Sequence, residues 1–248
     1  MRKLIPLFLV FMAATPGCKE MVRLPALSTA EPTCVPPEEN GDLKKSRDPA
    51  RLHAFIRRNT EASVAVRNRT YEADGLRTHD ATGALIGNKG LVLTTWDAVR
   101  RSEFLTVAYR RVTKDGATES FHETPAEIIT ISREYNIVVL RLKMPLGAPP
   151  PFPLRHGPMA LGDDVWWFGV TTASGKMRVT KTDVAIGHNT TGLVIVNGTL
   201  RDADIGAPMV NACGELVGIL LYNDRKGVYA LPIDNIFQAL NLRTQDLY

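Results

Sequence analysis

A chain of 248 residues, 44% of them hydrophobic, can bury a sizeable core, and its length suits one large domain or two small ones. The formal net charge is +4, and two of the positive charges, Arg2 and Lys3, sit in a segment that reads as removable. The remainder is close to neutral and carries no clustered basic face, which excludes a nucleic-acid binder.

In chain order, Arg2 and Lys3 precede the apolar run Leu4 to Ala14 and then Thr15-Pro16-Gly17-Cys18, the layout of an export signal over residues 1–17. The run is too short to cross a bilayer, which takes about 20 residues. Gly17 directly before Cys18 resembles the lipobox of bacterial lipoproteins, with Thr15 where leucine is usual. The resemblance implies a lipid anchor on Cys18, and Lys19 is similar to the residue that sends many such proteins to the outer membrane, facing the periplasm or the cell surface. Ordinary cleavage to a soluble periplasmic protein is the alternative.

Residues 18–50 read as a tether, rich in turn formers and without a sustained apolar period. The basic residues Lys44, Lys45, Arg47, Arg51, Arg57 and Arg58 read as a solvated linker. With Cys18 lipidated, Cys34 and Cys213 are left. They are either a disulfide pair or two free thiols, since sequence does not place Cα atoms within reach of each other.

From Ser63 the pattern is one of short strands and turns. Ser63 to Arg69 and Phe104 to Tyr109 alternate at period two, Ile137 to Leu142 does so in part, and Asn88-Lys89-Gly90 and Lys114-Asp115-Gly116 read as turns. This spacing predicts an all-β sandwich or barrel. The proline-rich stretch Pro145 to Pro153 reads as a connection between two halves, 51–147 and 148–242. Val165 to Gly169, Lys176 to Thr180 and Leu193 to Val196 supply strands of the second half, and Pro232 to Leu240 reads as a short helix capped by Asp234. No room is expected for a PDZ domain after it.

Three segments carry a family resemblance. Gly83 to Val99, ending Leu93-Thr94-Thr95-Trp96-Asp97-Ala98-Val99, is similar to the hairpin that ends Leu-Thr-x-x-His-Val-Val in trypsin-like serine proteases of the HtrA type. Asn136-Ile137-Val138-Val139-Leu140 is similar to the family strand opening Asp-Ile-Ala-Val-Leu. Asp204-Ile205-Gly206-Ala207-Pro208, followed by Ala212 to Leu220, resembles the nucleophile loop and the strands after it. The resemblance implies two six-stranded Greek-key barrels. It puts Asp97, Asn136 and Ile205 at the positions of the catalytic histidine, aspartate and serine.

On that resemblance the chemistry is lost. Ile205 has no atom able to attack a carbonyl, Asp97 has no hydroxyl proton to take, and Asn136 would orient a histidine in the wrong tautomer. The oxyanion-hole backbone would fall at Ala203 and Ile205, with alanine in place of the usual glycine. A peptide-binding cleft edge would run over Gly218, Ile219, Leu220, Leu221 and Tyr222, with Thr199 and Leu200 near the side-chain pocket.

Other chemistry finds little support. His53, His79, His122, His156 and His188 lack metal-binding spacing, so no metal or other cofactor is expected. An Asp97/Asp204 dyad is conceivable, Ser174 and Lys176 read as solvated, and Trp166 and Trp167 read as core on one face and interface on the other. The expected protein is an inactive, exported homologue of these proteases that binds a protein or peptide partner. A structural envelope lipoprotein that binds no peptide and an active peptidase with a noncanonical site are the alternatives.

Overall fold

The computed structural model describes residues 49–112, 118–143, 147–171, 176–187 and 191–247. The export signal, Cys18, Cys34, residues 19–48, the Lys114–Gly116 turn, Ser174 and His188 therefore lie outside the described residues. A helix, α1 (Pro49–Ala62), leads into six strands: β1 (Ser63–Glu72), β2 (Gly75–Ile86), β3 (Leu91–Thr95), β4 (Phe104–Val112), β5 (Thr118–Ser132) and β6 (Ile137–Leu142). Six more follow: β7 (Asp164–Thr171), β8 (Lys176–Ile186), β9 (Val194–Val196), β10 (Pro208–Asn211), β11 (Leu216–Asp224) and β12 (Gly227–Pro232). Helices α2 (Ile233–Ala239) and α3 (Thr244–Leu247) end the described chain.

Each set of six closes into an antiparallel barrel. The hydrogen-bonded order is β1-β2-β3-β6-β5-β4 in the first and, read from its own first strand, β7-β8-β9-β12-β11-β10 in the second. The two barrels thus share one Greek-key topology, as the three family-like segments imply.

Strand periodicity decides where each side chain goes. In β3, Val92 fills the first barrel, while Leu91 and Leu93 face the other way, into a core shared by both barrels. Ile137 and Val139 join that shared core, and Val138 and Leu140 face the barrel interior. In β7, Trp166 and Phe168 meet the shared core and Trp167 fills the second barrel. Both faces of these strands are buried, so they read as nearly continuous apolar runs rather than clean alternations.

The first element differs from the sequence reading. Leu52, Phe55, Ile56 and Asn59 recur at helical spacing on α1, and Pro49 suits the first position of a helix. Phe55 packs edge-on against Trp166 at 5.4 Å between ring centroids. The expected solvated linker is therefore corrected over its described part: Arg51, Arg57 and Arg58 form the exposed face of an amphipathic helix docked on β7. The interbarrel connection is also sewn down rather than merely extended. Phe152 is buried and donates its N–H to the Leu85 carbonyl at 3.0 Å, and Leu216 donates to the Pro153 carbonyl at 2.8 Å.

Two corrections concern the C-terminus. Pro232, not Asp234, stands at the N-cap of α2, and Asp234 lies inside its first turn. Its carboxylate instead takes His156 Nδ1 at 2.6 Å and the Gly157 N–H at 2.8 Å, tying the connection to the helix. The short α3 was not legible in the sequence. Leu247 is buried and its carbonyl accepts the Asn88 N–H at 2.9 Å, which puts α3 against the β2–β3 turn.

Candidate functional site

The site is built where the first barrel meets the loop before β10. Residues Asp202–Asp204 form a single 3₁₀ turn, with the Asp204 N–H on the Arg201 carbonyl at 2.9 Å and the Ile205 N–H on the Asp202 carbonyl at 3.2 Å. Thr82 of β2 stitches this loop to the first barrel. Its N–H donates to the Ile205 carbonyl at 3.0 Å, and its hydroxyl donates to the Ala203 carbonyl at 2.6 Å while accepting the Val170 N–H at 3.0 Å. Its carbonyl takes the Thr94 hydroxyl at 2.7 Å.

Gly206 lets the chain turn at this junction. Its φ of +80° favours glycine, and a Cβ there would run into the Thr82 carbonyl and Thr94 Oγ1. Ile205 is half-buried against the core of the second barrel. Asp204 turns away from the cleft. Only 1% exposed, its carboxylate meets Arg178 Nη1 of β8 at 2.6 Å. The conceivable Asp97/Asp204 dyad is thereby set aside, because Asp204 is already engaged by Arg178.

Across the cleft, Asn136 sits in a turn with φ of 54°, a left-handed conformation that asparagine tolerates better than most residues. Its Oδ1 accepts the Asp97 N–H at 2.9 Å and its carbonyl accepts the Trp96 N–H at 3.0 Å. An aspartate could accept that same N–H. The Asp97 carboxylate is half-exposed and lies 3.3 Å from Arg100 Nε. Asp97 and Ile205 line one depression of about 320 Å³, together with His79, Asp80 and Asp202.

A larger open groove of about 900 Å³ adjoins it, lined by Trp96, Asp97, Arg100 and Arg133 from the first barrel and by Leu221, Tyr222 and Gln238 from the second. The guanidinium of Arg133 lies 5.6 Å from the Trp96 ring centroid, a cation–π contact. Tyr222 stacks on Tyr229 at 4.6 Å. Partial desolvation, and then the Asp224 carboxylate that accepts its hydroxyl at 3.0 Å, push the Tyr229 phenol above its usual range.

The expected cleft edge needs correction in its first half. Gly218 and Ile219 have ladder partners in both β10 and β12. Leu220 pairs with Ala230, donates its N–H to the Ala207 carbonyl at 3.0 Å and accepts the Gly206 N–H at 2.9 Å. None of the three is an open edge. Past a bulge at Leu221, β11 pairs only with β12 among the described residues, through Tyr222, Asn223 and Asp224. The hairpin turns over two residues from the pair Asp224 and Gly227. Hydrogen-bonded and non-bonded pairs alternate in such a ladder, so Asn223 presents its N–H and C=O outward. The open edge is thus Leu221–Asp224, starting three residues further along than the sequence suggested.

Thr199 is exposed and its carbonyl faces Arg178 Nη2 at 3.4 Å, whereas Leu200 is buried in the second barrel core. Neither lines the two depressions beside Asp97. The residues that sequence reasoning missed are Thr82 and Arg178. Each works through a contact more than 20 positions away in sequence, and no local pattern marks it.

A model of the trypsin-like peptidase domain matches residues 81–219, the span from β2 to the middle of β11. The chain belongs to the trypsin-like peptidase family. Among solved structures it is similar to the serine endoprotease from Yersinia pestis, at a TM-score of 0.60 and 21% identity over 75% of this chain. The chain spans 64% of the length of that protein. No curated protein matches it. In the structure Ile205 lies on the loop before β10, with Asp97 and Asn136 across the cleft from it.

Elsewhere, no group of three or more metal-ligating side chains converges among the described residues, and no described helix is long and apolar enough to cross a membrane. Trp166 and Trp167 are both buried, on opposite faces of β7. Cys213, on the turn between β10 and β11, is disulfide-bonded.

Proposed function

We propose that this chain is a catalytically inactive member of the family that holds an extended segment of a partner protein in the cleft between its barrels. The observation that carries the reading is the combination of Ile205 on the nucleophile loop with an open strand edge at Leu221–Asp224 beside it. Isoleucine, aspartate and asparagine cannot supply the attack, the proton transfer and the tautomer control of a serine protease. An unpaired backbone edge keeps its capacity to add a strand whatever side chains stand nearby.

The walls of the adjoining groove are open and polar, which supports binding over a purely structural role. Export also belongs to this proposal: residues 1–17 are removed and Cys18 carries the lipid anchor. The disulfide at Cys213 supports an oxidising compartment. Several acyl chains, at about 0.8 kcal/mol per buried methylene, would hold the protein firmly on a membrane.

The test is selection of peptides from a displayed library, followed by amide exchange on the complex. Exchange should slow at Asn223, whose N–H faces outward, and stay unchanged at Leu220, whose N–H is already bonded. Selected peptides that protect a different surface would refute cleft binding, and cleavage of the selected peptides by the natural chain would refute inactivity. For the anchor, Cys18→Ala should abolish incorporation of a labelled fatty acid, and incorporation that persists would place the lipid elsewhere.

A further inference from the structure

We propose that the Arg178–Asp204 ion pair is a lock on the loop 201–206. It holds closed the backbone that would otherwise stabilise an oxyanion, independently of the residues at 97, 136 and 205. The inference goes beyond the loss of the three side chains, because it makes the loop itself unfit for acyl transfer.

The carboxylate of Asp204 is seated in a slot. Gly169 of β7 makes the room, since a Cβ there would collide with Asp204 Oδ1, and Arg178 stands opposite Gly169 in the β7–β8 ladder. One oxygen of the carboxylate takes Arg178 Nη1 at 2.6 Å and the Arg201 N–H at 3.2 Å. A carboxylate this buried is costly to leave without a charged partner, and lacking one it is driven out of the slot toward water. Arg178 is therefore what keeps Asp204 inside.

With Asp204 inside, the turn is fixed. Its own N–H closes on the Arg201 carbonyl, and the next N–H, that of Ile205, is spent on the Asp202 carbonyl at 3.2 Å. Thr82 then pins the Ala203 and Ile205 carbonyls from the other barrel. An oxyanion hole needs donors aimed at the position where charge develops and free to meet it. Here the donor at residue 205 is satisfied within the loop. Freeing it requires the Asp202–Ala203 peptide to rotate, which the seated Asp204 opposes.

Two experiments test the lock on the full chain. In Arg178→Met, amide exchange at Ile205 should quicken by roughly tenfold or more while that at Leu93, in the core of the first barrel, stays within about twofold. Exchange that is unchanged at Ile205, or that quickens equally at both, overturns the lock. Arg178→Lys keeps the charge but lacks the planar fork, so its Ile205 exchange should fall between those of the parent and the methionine variant, and exchange as fast as in the methionine variant also overturns it. If Arg178→Met does not fold, the lysine variant carries the test: it should exchange at Ile205 at least about threefold faster than the parent, because it lacks the planar fork that meets the carboxylate, and parental exchange overturns the lock.

In the second experiment Asp97→His, Asn136→Asp and Ile205→Ser are combined and the chain is exposed to a fluorophosphonate. With Arg178 intact, labelling should lag that of an active family protease by roughly 10²-fold or more, the effect of a missing oxyanion donor. Labelling at the rate of the active enzyme overturns the lock. It would leave the inertness of the natural chain untouched, because Ile205 has no nucleophile.

Discussion

The loop 201–206 and the outer edge of β11 belong to the same barrel and flank the same cleft, yet they differ in how their backbone is used. In the loop, the Ile205 and Gly206 N–H groups and the Ala203 and Ile205 carbonyls are all bonded within the protein. On β11, pairing on the β10 side stops at Leu220, so the backbone of Asn223 faces outward. The difference teaches that the scaffold here rests on the backbone partners of the loop. What stays open for a partner is the edge that this network does not reach.

The comparison breaks most visibly at its bonded side. Gly206→Ala forces a side chain into a left-handed position against Thr82 and Thr94, and should lower stability by about 3 kcal/mol or more in a urea melt. Leu220→Pro removes an N–H that is bonded inside the barrel and should cost a similar amount, about 3 kcal/mol. If either variant melts like the parent, the loop is less tightly held than its hydrogen bonds indicate.

Arg178→Met leaves a buried carboxylate unpaired. Because Arg178 itself retains some access to water, the loss should be about 2–3 kcal/mol, below that for a fully buried pair. Asn223→Pro, on the open side, should cost about 1 kcal/mol or less and still weaken capture of a library-selected peptide by roughly tenfold. Equal capture by this variant and the parent would move the binding surface off β11.

Smaller effects sharpen the contrast. On the first barrel, burial raises Glu123, but the Thr106 hydroxyl and the guanidinium groups of Arg67 and Arg69 outweigh it and hold the carboxyl below its usual range. The stability this contributes is present above the unfolded carboxylate pKa and is lost as pH falls through the folded value. Glu123→Gln should therefore remove about 0.5–1 kcal/mol at neutral pH and nothing in strong acid. An equal loss at both pH values would contradict the ionic origin. Asn136→Asp retains an oxygen for the Asp97 N–H and should change the melt by less than about 0.5 kcal/mol, with the protein still inert to a fluorophosphonate.

Much of the second half of the chain was legible because its strands are short and bounded by turn formers. The runs Val165 to Gly169 and Leu193 to Val196 show this most plainly. Helix α1 was not, although Leu52, Phe55, Ile56 and Asn59 carry the helical period, because the interspersed arginines outweighed that period in the reading. Helix α3 is four residues long and owes its place to Leu247 docking near Gly87, which no local pattern encodes. The start of the cleft edge was misplaced by three residues because the resemblance locates the strand, whereas the end of β10 decides which of its residues lack a neighbour.

Sequence by itself determined the alternation and turns that mark several of the strands, among them Ser63 to Arg69 and Val165 to Gly169, and the identities of Asp97, Asn136 and Ile205. These follow from local preference and residue chemistry. Tertiary structure alone decided that Thr82 joins the loop to the other barrel across 121 positions, that Asp204 faces Arg178 rather than Asp97, and that the open edge begins after Leu220. Each of these depends on which backbone groups and charges meet once the barrels close, and the buried ones must find a partner there or not be buried.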